Sequence, residues 1–180
     1  ESSERPAMNI LAGPYLIRSW RSGDEASLAA NINNPRITRT LAARQPRTYT
    51  EKHAKAWIDL CAMEADPVNF AIAAGTDVIG SIGLTLQRGA RRRSAEVGFW
   101  ITENHWGKGI ATQALRAFSE YAFDQFHLLR LHAYVFDGNA ASIRVLEKAG
   151  YTYEGTLAAS IIKDDRTIDE LVYAQVRREA

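Results

Sequence analysis

The sequence has 180 residues, 46% of them apolar, with 22 Lys and Arg against 21 Asp and Glu and a formal net charge of +1. That describes one domain of ordinary size with enough apolar content for a core, and it excludes a global electrostatic case for nucleic acid or a membrane surface. No apolar run approaches the roughly 20 residues of a membrane span, and the single cysteine excludes an internal disulfide.

The polar start Glu1-Ser2-Ser3-Glu4-Arg5-Pro6 lacks the apolar centre of a signal peptide. Residues 1–13 are expected to form a disordered or cloning-derived tail and residues 14–178 a single domain, with the reducing cytoplasm as the natural compartment. Residues 15–20 read as a first strand. Gly23-Asp24 then leads into a helix carrying Leu28, Ala29 and Ile32, which Asn33-Asn34-Pro35 ends. Residues 36–47 have no clean period and read as a loop with one helical turn at most. Thr50 suits the N-cap of a helix running to about Met63, with Trp57, Ile58 and Cys61 on its apolar stripe. Cys61 reads there as a small buried apolar residue, because no Cys/His cluster accompanies it to suggest a metal site or an activated thiol.

Three strands follow, at residues 68–73, 78–87 and 94–101, separated by Gly75-Thr76-Asp77 and by an arginine-rich turn at residues 88–93. Arg91, Arg92 and Arg93 read as a solvated hairpin tip, since no interleaved aromatics or second basic stripe support nucleic-acid binding. The helical period of Ile110, Ala114, Leu115, Phe118 and Ala122 predicts a helix to about Asp124, and residues 129–136 a compact strand. Asn139 opens a last helix with Ile143, Leu146 and Ala149 on one stripe and Gly150 as its stop. Two strands, at 151–159 and 168–177, close the chain. The order βααβββαβαββ argues a single α/β domain.

The chemistry centres on the turn between the strand ending at Ile101 and the helix starting near Ile110. A strand, a turn and a helix N-terminus present bare backbone N–H groups to an anion. Gly107 and Gly109 remove Cβ atoms from that approach, and Lys108 adds a cation. On these residues alone two readings stand, a phosphate cradle or a glycine-rich turn. The nucleotide P-loop is excluded for want of its Gly-Lys-Ser/Thr spacing, and the dinucleotide fingerprint because Thr112 stands where a third glycine belongs.

Residues 95–101 (Ala-Glu-Val-Gly-Phe-Trp-Ile) followed by 106–115 (Trp-Gly-Lys-Gly-Ile-Ala-Thr-Gln-Ala-Leu) resemble the Gcn5-related N-acetyltransferase superfamily, and within it the Rim-type branch that acts on ribosomal-protein N-termini. The resemblance spans residues 15–176. It implies a mixed, mostly antiparallel sheet of about six to seven strands flanked by about four helices, and an Arg/Gln-x-x-Gly-x-Gly/Ala loop around the pyrophosphate of acetyl-CoA. Gly109 and Ala111 fit the two small positions, and Trp106 stands in place of Arg or Gln. The implied cofactor residues are Phe99, Trp100 and Ile101 for the pantetheine arm and Trp106, Gly107, Lys108, Gly109, Ile110, Ala111 and Thr112 for the phosphates.

A second segment, Asn139-Ala140-Ala141-Ser142 through Lys148-Ala149-Gly150-Tyr151, is similar to the other hallmark of that branch. The resemblance implies Asn139 and Ser142 at the cofactor, with Ser142 as general acid to the departing thiolate. Read locally, Asn139 is equally a good N-cap. Relatives that use a Tyr acid four residues later find Leu146 here.

Transfer from a thioester to an amine requires an oriented thioester, a neutral amine, stabilisation of the oxyanion, and a proton for the leaving thiolate. For the base, strand alternation puts Glu96 on one face with Gly98 and Trp100. Glu96 is the leading candidate, against the alternative of an ordinary surface or ion-paired glutamate. Tyr134, His132, Glu154 and Asp169 are further polar candidates. No activated nucleophile is evident, so transfer is expected to be direct, in a ternary complex and without a metal. The expected acceptor is a primary amine, foremost a protein or peptide N-terminus, with a small-molecule amine or a non-catalytic acyl-CoA-binding module as alternatives. The last two strands offer an edge on which a homodimer can pair.

Overall fold

The computed structural model describes residues 8–42 and 46–178. Their elements run β1 (Asn9–Ala12), β2 (Tyr15–Ser19), α1 (Glu25–Ile32), α2 (Pro35–Thr38), α3 (Glu51–Met63), β3 (Asn69–Ala74), β4 (Asp77–Leu86), β5 (Ser94–Ile101), α4 (Ile110–Gln125), β6 (Arg130–Phe136), α5 (Ala140–Lys148), β7 (Thr152–Lys163) and β8 (Arg166–Val176). One sheet holds all eight strands in the order β1-β2-β3-β4-β5-β6-β8-β7. Every pairing is antiparallel except β5 with β6, which the helix α4 connects as a crossover.

One element exceeds the sequence expectation: β1 begins where a tail was expected, and Ala12 pairs with Tyr15 across a two-residue Gly13-Pro14 turn, with Gly13 at φ +62°. The sheet therefore starts before residue 14, and of the expected tail residues 1–7 lie outside the described residues. In the segment expected to be a loop with one helical turn, α2 is that turn, capped by Asn34 accepting from the Arg36 N–H, and residues 43–45 lie outside the described residues.

The sheet is packed on both faces. On the first face α4 lays down Ile110, Ala114, Leu115, Phe118 and Ala122 at helical spacing, over Val97 of β5 and Leu131 and Val135 of β6. Each such side chain removed from water contributes about 1.5–3 kcal/mol. The ring of Phe118 meets Phe70 edge-on at 5.6 Å. On the second face α1 and α3 bury Leu28, Ile32, Ala54, Ile58 and Cys61 against Ala71 and Val78. That second cluster reaches β5 only at Trp100.

Capping follows the sequence closely at α3. Thr50 accepts from the His53 N–H and the His53 ring accepts from the Thr50 N–H, a reciprocal box with histidine in place of the usual glutamate. A buried bidentate ion pair, Arg18 to Asp24 at 2.8 Å, ties β2 to the start of α1.

Candidate active site

The parallel β5–β6 pairing lasts only from Ser94 opposite Arg130 to Glu96 opposite His132. Beyond that row the two strands part, while β5 stays paired to β4 as far as Ile101. Backbone direction decides what the gap receives. The Thr102 N–H donates to Ile79 of β4, and the Arg93 carbonyl accepts from the β6 side. Main-chain groups alternate sides along a strand, so Phe99 and Ile101 turn theirs into the gap and Trp100 turns its own to β4. Of the three expected backbone positions, two face the opening and Trp100 is engaged in the sheet opposite Ser81.

A cleft of about 910 Å³ passes through this opening. Its first-face wall comes from the turn before α4 and the start of α5, and its far wall from α2 and the beginning of β8. Phe99, Trp100, Ile101, Trp106, Gly107, Gly109, Ile110, Ala111, Thr112, Asn139 and Ser142 all line it. Lys108 does not; it sits exposed beside His105.

The turn is built for close backbone approach. Gly107 and Gly109 have φ +73° and +75°, a conformation other residues adopt only with strain, and a Cβ on Gly107 would meet nothing within 4 Å. Gly109 caps α4 without a side-chain hydrogen bond, and the first turn-closing bond is Gln113 N–H to the Gly109 carbonyl at 3.1 Å. The N–H groups of Ile110, Ala111 and Thr112 therefore point out of the helix without helical partners. Trp106 donates its indole N–H to the Ile101 carbonyl at 2.7 Å and carries the Arg36 guanidinium 5.2 Å above its ring. It closes one end of the gap and fixes the turn. The His105 Nδ1 is buried without a partner, and burial first, then the Lys108 charge, hold that imidazole below its usual pKa.

On α5, Asn139 accepts from the Ser142 N–H at 3.3 Å, so the capping role read locally from the sequence is present. The Ser142 hydroxyl lines the cleft and makes no hydrogen bond to any described residue. Leu146 is 1% exposed and belongs to the core.

Glu96 lies at the apex where β5 and β6 part, half-buried. Burial, and secondarily the charge of Glu170, push its carboxyl above the ordinary carboxylate range. His132 is buried and lies opposite Glu96, with its ring edge-on to Tyr134 at 5.3 Å; burial and Arg130 keep it below the usual histidine pKa. Glu154 is drawn away into a pair with Arg130, and Asp169 accepts from the Ala159 N–H at a β7 irregularity. Neither is held at the gap. A second cavity of about 500 Å³ adjoins the apex and is lined by Ser94, His132, Tyr134 and Val172 among others.

Two features escaped the sequence reading. Glu170 on β8 is 8% exposed and shares the face of Glu96; its signal was an acid in the row Ile168, Val172, Ala174. The other is Lys163, whose ammonium donates to the Thr38 and Leu41 carbonyls and ties the β7–β8 turn to α2. Among the described residues, no group of three or more His, Cys, Asp or Glu is placed to hold a metal ion, and no helix is long and apolar enough to cross a membrane.

Residues 15–152 match the Acetyltransferase (GNAT) domain family. The chain is 30% identical over 116 residues to the uncharacterized N-acetyltransferase p20 of Bacillus licheniformis, covering 64% of this chain and 65% of that protein. It is 31% identical over 84 residues to the ribosomal-protein-serine acetyltransferase of Escherichia coli, 47% of each. The matched stretches thus span about half to two thirds of these relatives' own length. The fold superimposes on Mycobacterium smegmatis RimJ in complex with CoA-disulfide with a TM-score of 0.81 at 24% identity, over 94% of this chain and 86% of that one. A turn with bare helix N–H groups, a β5–β6 opening and a sequence match over most of the chain converge: this chain belongs to the GNAT acetyltransferase family.

Proposed function

We propose that the protein is an acetyl-CoA-dependent N-acetyltransferase whose acceptor is a primary amine, foremost the α-amine of a protein or peptide N-terminus. The observation that carries this reading is the continuous cleft joining the α4 N-terminus, the β5–β6 opening and the Ser142 hydroxyl. The residues present fit acetyl-CoA. Orphan N–H groups at Ile110, Ala111 and Thr112 suit a pyrophosphate, and the inward-turned backbone groups of Phe99 and the N–H of Ile101, whose carbonyl Trp106 holds, suit an amide-bearing arm. Bound there, acetyl-CoA supplies an acetyl thioester.

The chain's own residues do the rest. The first turn of α4 binds and orients by its backbone and dipole. Glu96 removes a proton from the incoming ammonium, a task its raised pKa suits. Ser142, unpartnered at the cleft wall, donates a proton to the leaving sulfur. No nucleophilic residue intervenes: Cys61 is buried in α3 with its thiol pushed up to about 12 by burial. The N-terminal acceptor rests on the ribosomal-protein relatives together with a cleft that extends past the β5–β6 opening to a far wall of α2 and the beginning of β8.

The test is CoA release from acetyl-CoA with short peptides of differing N-terminal residue, polyamines and aminoglycosides as acceptors. Peptide-dependent release, about 100-fold slower in Glu96→Gln and about 10-fold slower in Ser142→Ala, supports the reading. Release that depends only on small amines reassigns the acceptor. Binding of acetyl-CoA without turnover in any arm makes the protein an acyl-CoA-binding module.

A further inference from the structure

The arginine run between β4 and β5 is folded back onto the sheet. Its tip closes in a single 3-10 turn, Gly89–Arg91, with the Arg92 N–H donating to the Gly89 carbonyl. The Leu129 N–H donates to the Arg93 carbonyl at 2.8 Å and the Arg93 Nε donates to the His127 carbonyl at 2.9 Å, which fastens the tip to the start of β6. Arg92 stays in solvent, outside any cavity wall. Arg91 and Arg93 line the second cavity, the space of about 500 Å³ beside the parting of β5 and β6.

That cavity is basic. Arg91, Arg93 and Arg130 all line it, and no aspartate or glutamate does. Glu154 holds Arg130 from outside the lining, whereas the Arg91 guanidinium has no hydrogen-bond or ion-pair partner among the described residues. His132 lines the same space, its Nδ1 3.4 Å from the Ser94 hydroxyl. Burial first, then Arg130 and Arg91, hold its pKa below the usual value, so the imidazole adds no charge at pH 7. Three guanidiniums around one space repel one another unless an anion lies between them, and the guanidinium fork matches a carboxylate.

The cavity is placed to serve the acceptor. Leu131 and Val135 of β6 pack against α4, so alternation puts Arg130, His132, Tyr134 and Phe136 on the opposite face. The first three line the cavity and Phe136 lines the acetyl-CoA cleft, so the two spaces follow one another along one strand with no residue of that face between them. From Tyr134 back to Arg130 is about 13 Å of strand, a distance that two or three extended residues and an acidic side chain together cover. We propose that the second cavity is a recognition pocket for an acidic side chain at the second or third residue of the acceptor peptide, with Arg91 as its principal cation. This rests on the N-terminal acceptor reading and extends it to the acceptor's sequence. The carboxylate accepts from Arg91 and offsets the repulsion among the three arginines, while the α-amine stays at the β5–β6 opening. A nucleic-acid strand fits less well, because these cations converge on one space and do not run as a stripe.

The experiment measures CoA release with peptides of one sequence carrying Glu, Gln or Lys at position two, and the same three at position three. The proteins are wild type, Arg91→Glu and Arg92→Glu, the last making the same charge change one residue away and outside the cavity. Expected in wild type is a kcat/KM for the Glu peptide at least about tenfold above that for Gln at one of the two positions. Arg91→Glu should reverse the order to favour Lys, and Arg92→Glu should keep it. A smaller wild-type preference at both positions, a preference lost equally in Arg92→Glu, or one that survives in Arg91→Glu overturns the proposal. If wild type acetylates no peptide, the N-terminal acceptor reading fails separately. The pocket is then read from arginine 15Nε NMR of labelled protein titrated with sodium glutarate and, separately, with sodium phosphate. Saturable glutarate shifts that vanish in Arg91→Glu support a carboxylate pocket; shifts with phosphate alone, or with neither, overturn it.

Discussion

Thr112→Glu separates anion binding from folding. Thr112 is the third residue of α4, half-buried and on the cleft wall. A glutamate at that position is favourable for the helix itself, since it complements the N-terminal dipole by about 0.3–1 kcal/mol and replaces a β-branched residue. For a ligand the same charge is adverse. A carboxylate about 6 Å from a phosphate, at an effective dielectric constant of about 20–40, repels it by about 1.5–3 kcal/mol per charge, or roughly 10- to 100-fold in affinity. Calorimetry of CoA binding, with Thr112→Gln as the neutral control, gives the number directly. Urea unfolding gives the stability. The expected result is a protein at least as stable as wild type that binds CoA at least 10-fold more weakly, with part of the loss recovered in high salt. If Thr112→Glu binds CoA as well as Thr112→Gln does, the phosphates do not lie at the α4 N-terminus.

Other outcomes follow from individual groups. Because the Glu96 pKa is raised, the folded protein holds that proton more tightly than the unfolded chain, and the associated stability is present at low pH and lost as pH rises through the folded value; Glu96→Gln should therefore stabilise the fold at pH 8 and change it little at pH 4, by thermal melts at both. The same shift predicts that acceptor turnover declines on acidification at a pH above the ordinary carboxylate range, and that this limb is missing from the residual activity of Glu96→Gln. Asp24→Ala leaves the buried Arg18 guanidinium unpaired and should cost about 3–5 kcal/mol in urea unfolding. Cys61, buried and with its thiol raised to about 12, should resist iodoacetamide at pH 8 in the folded protein and react in urea.

The parts of the fold that the sequence disclosed are those with a local signal. Ser94–Ile101 was legible from its alternation, Glu51–Met63 from its cap and stripe, and Ile110–Gln125 from its period. The turn at Gly107 and Gly109 was legible because only glycine is at ease at those φ values. What the residues alone did not disclose depends on distant partners. β1 is four residues long and exists because β2 pairs with it. The parting of β5 from β6 has no mark in either strand, since it is a property of their register. Trp106 read as a cofactor-loop residue standing in place of Arg or Gln, and its hydrogen bond to the Ile101 carbonyl needed the folded turn to be seen. Glu170 was passed over because an acid in a C-terminal strand looks solvated until β6 and β8 are paired and its burial is seen.

A crystal structure with CoA bound is the most direct test of the central claim, that the cleft through the β5–β6 opening is the acetyl-transfer site. The account predicts pyrophosphate oxygens within hydrogen-bond reach of the Ile110, Ala111 and Thr112 N–H groups, the arm along Phe99 and Ile101, and the sulfur beside Ser142. CoA lodged in the cavity lined by Ser94 and Tyr134, or phosphates away from the first turn of α4, would contradict it.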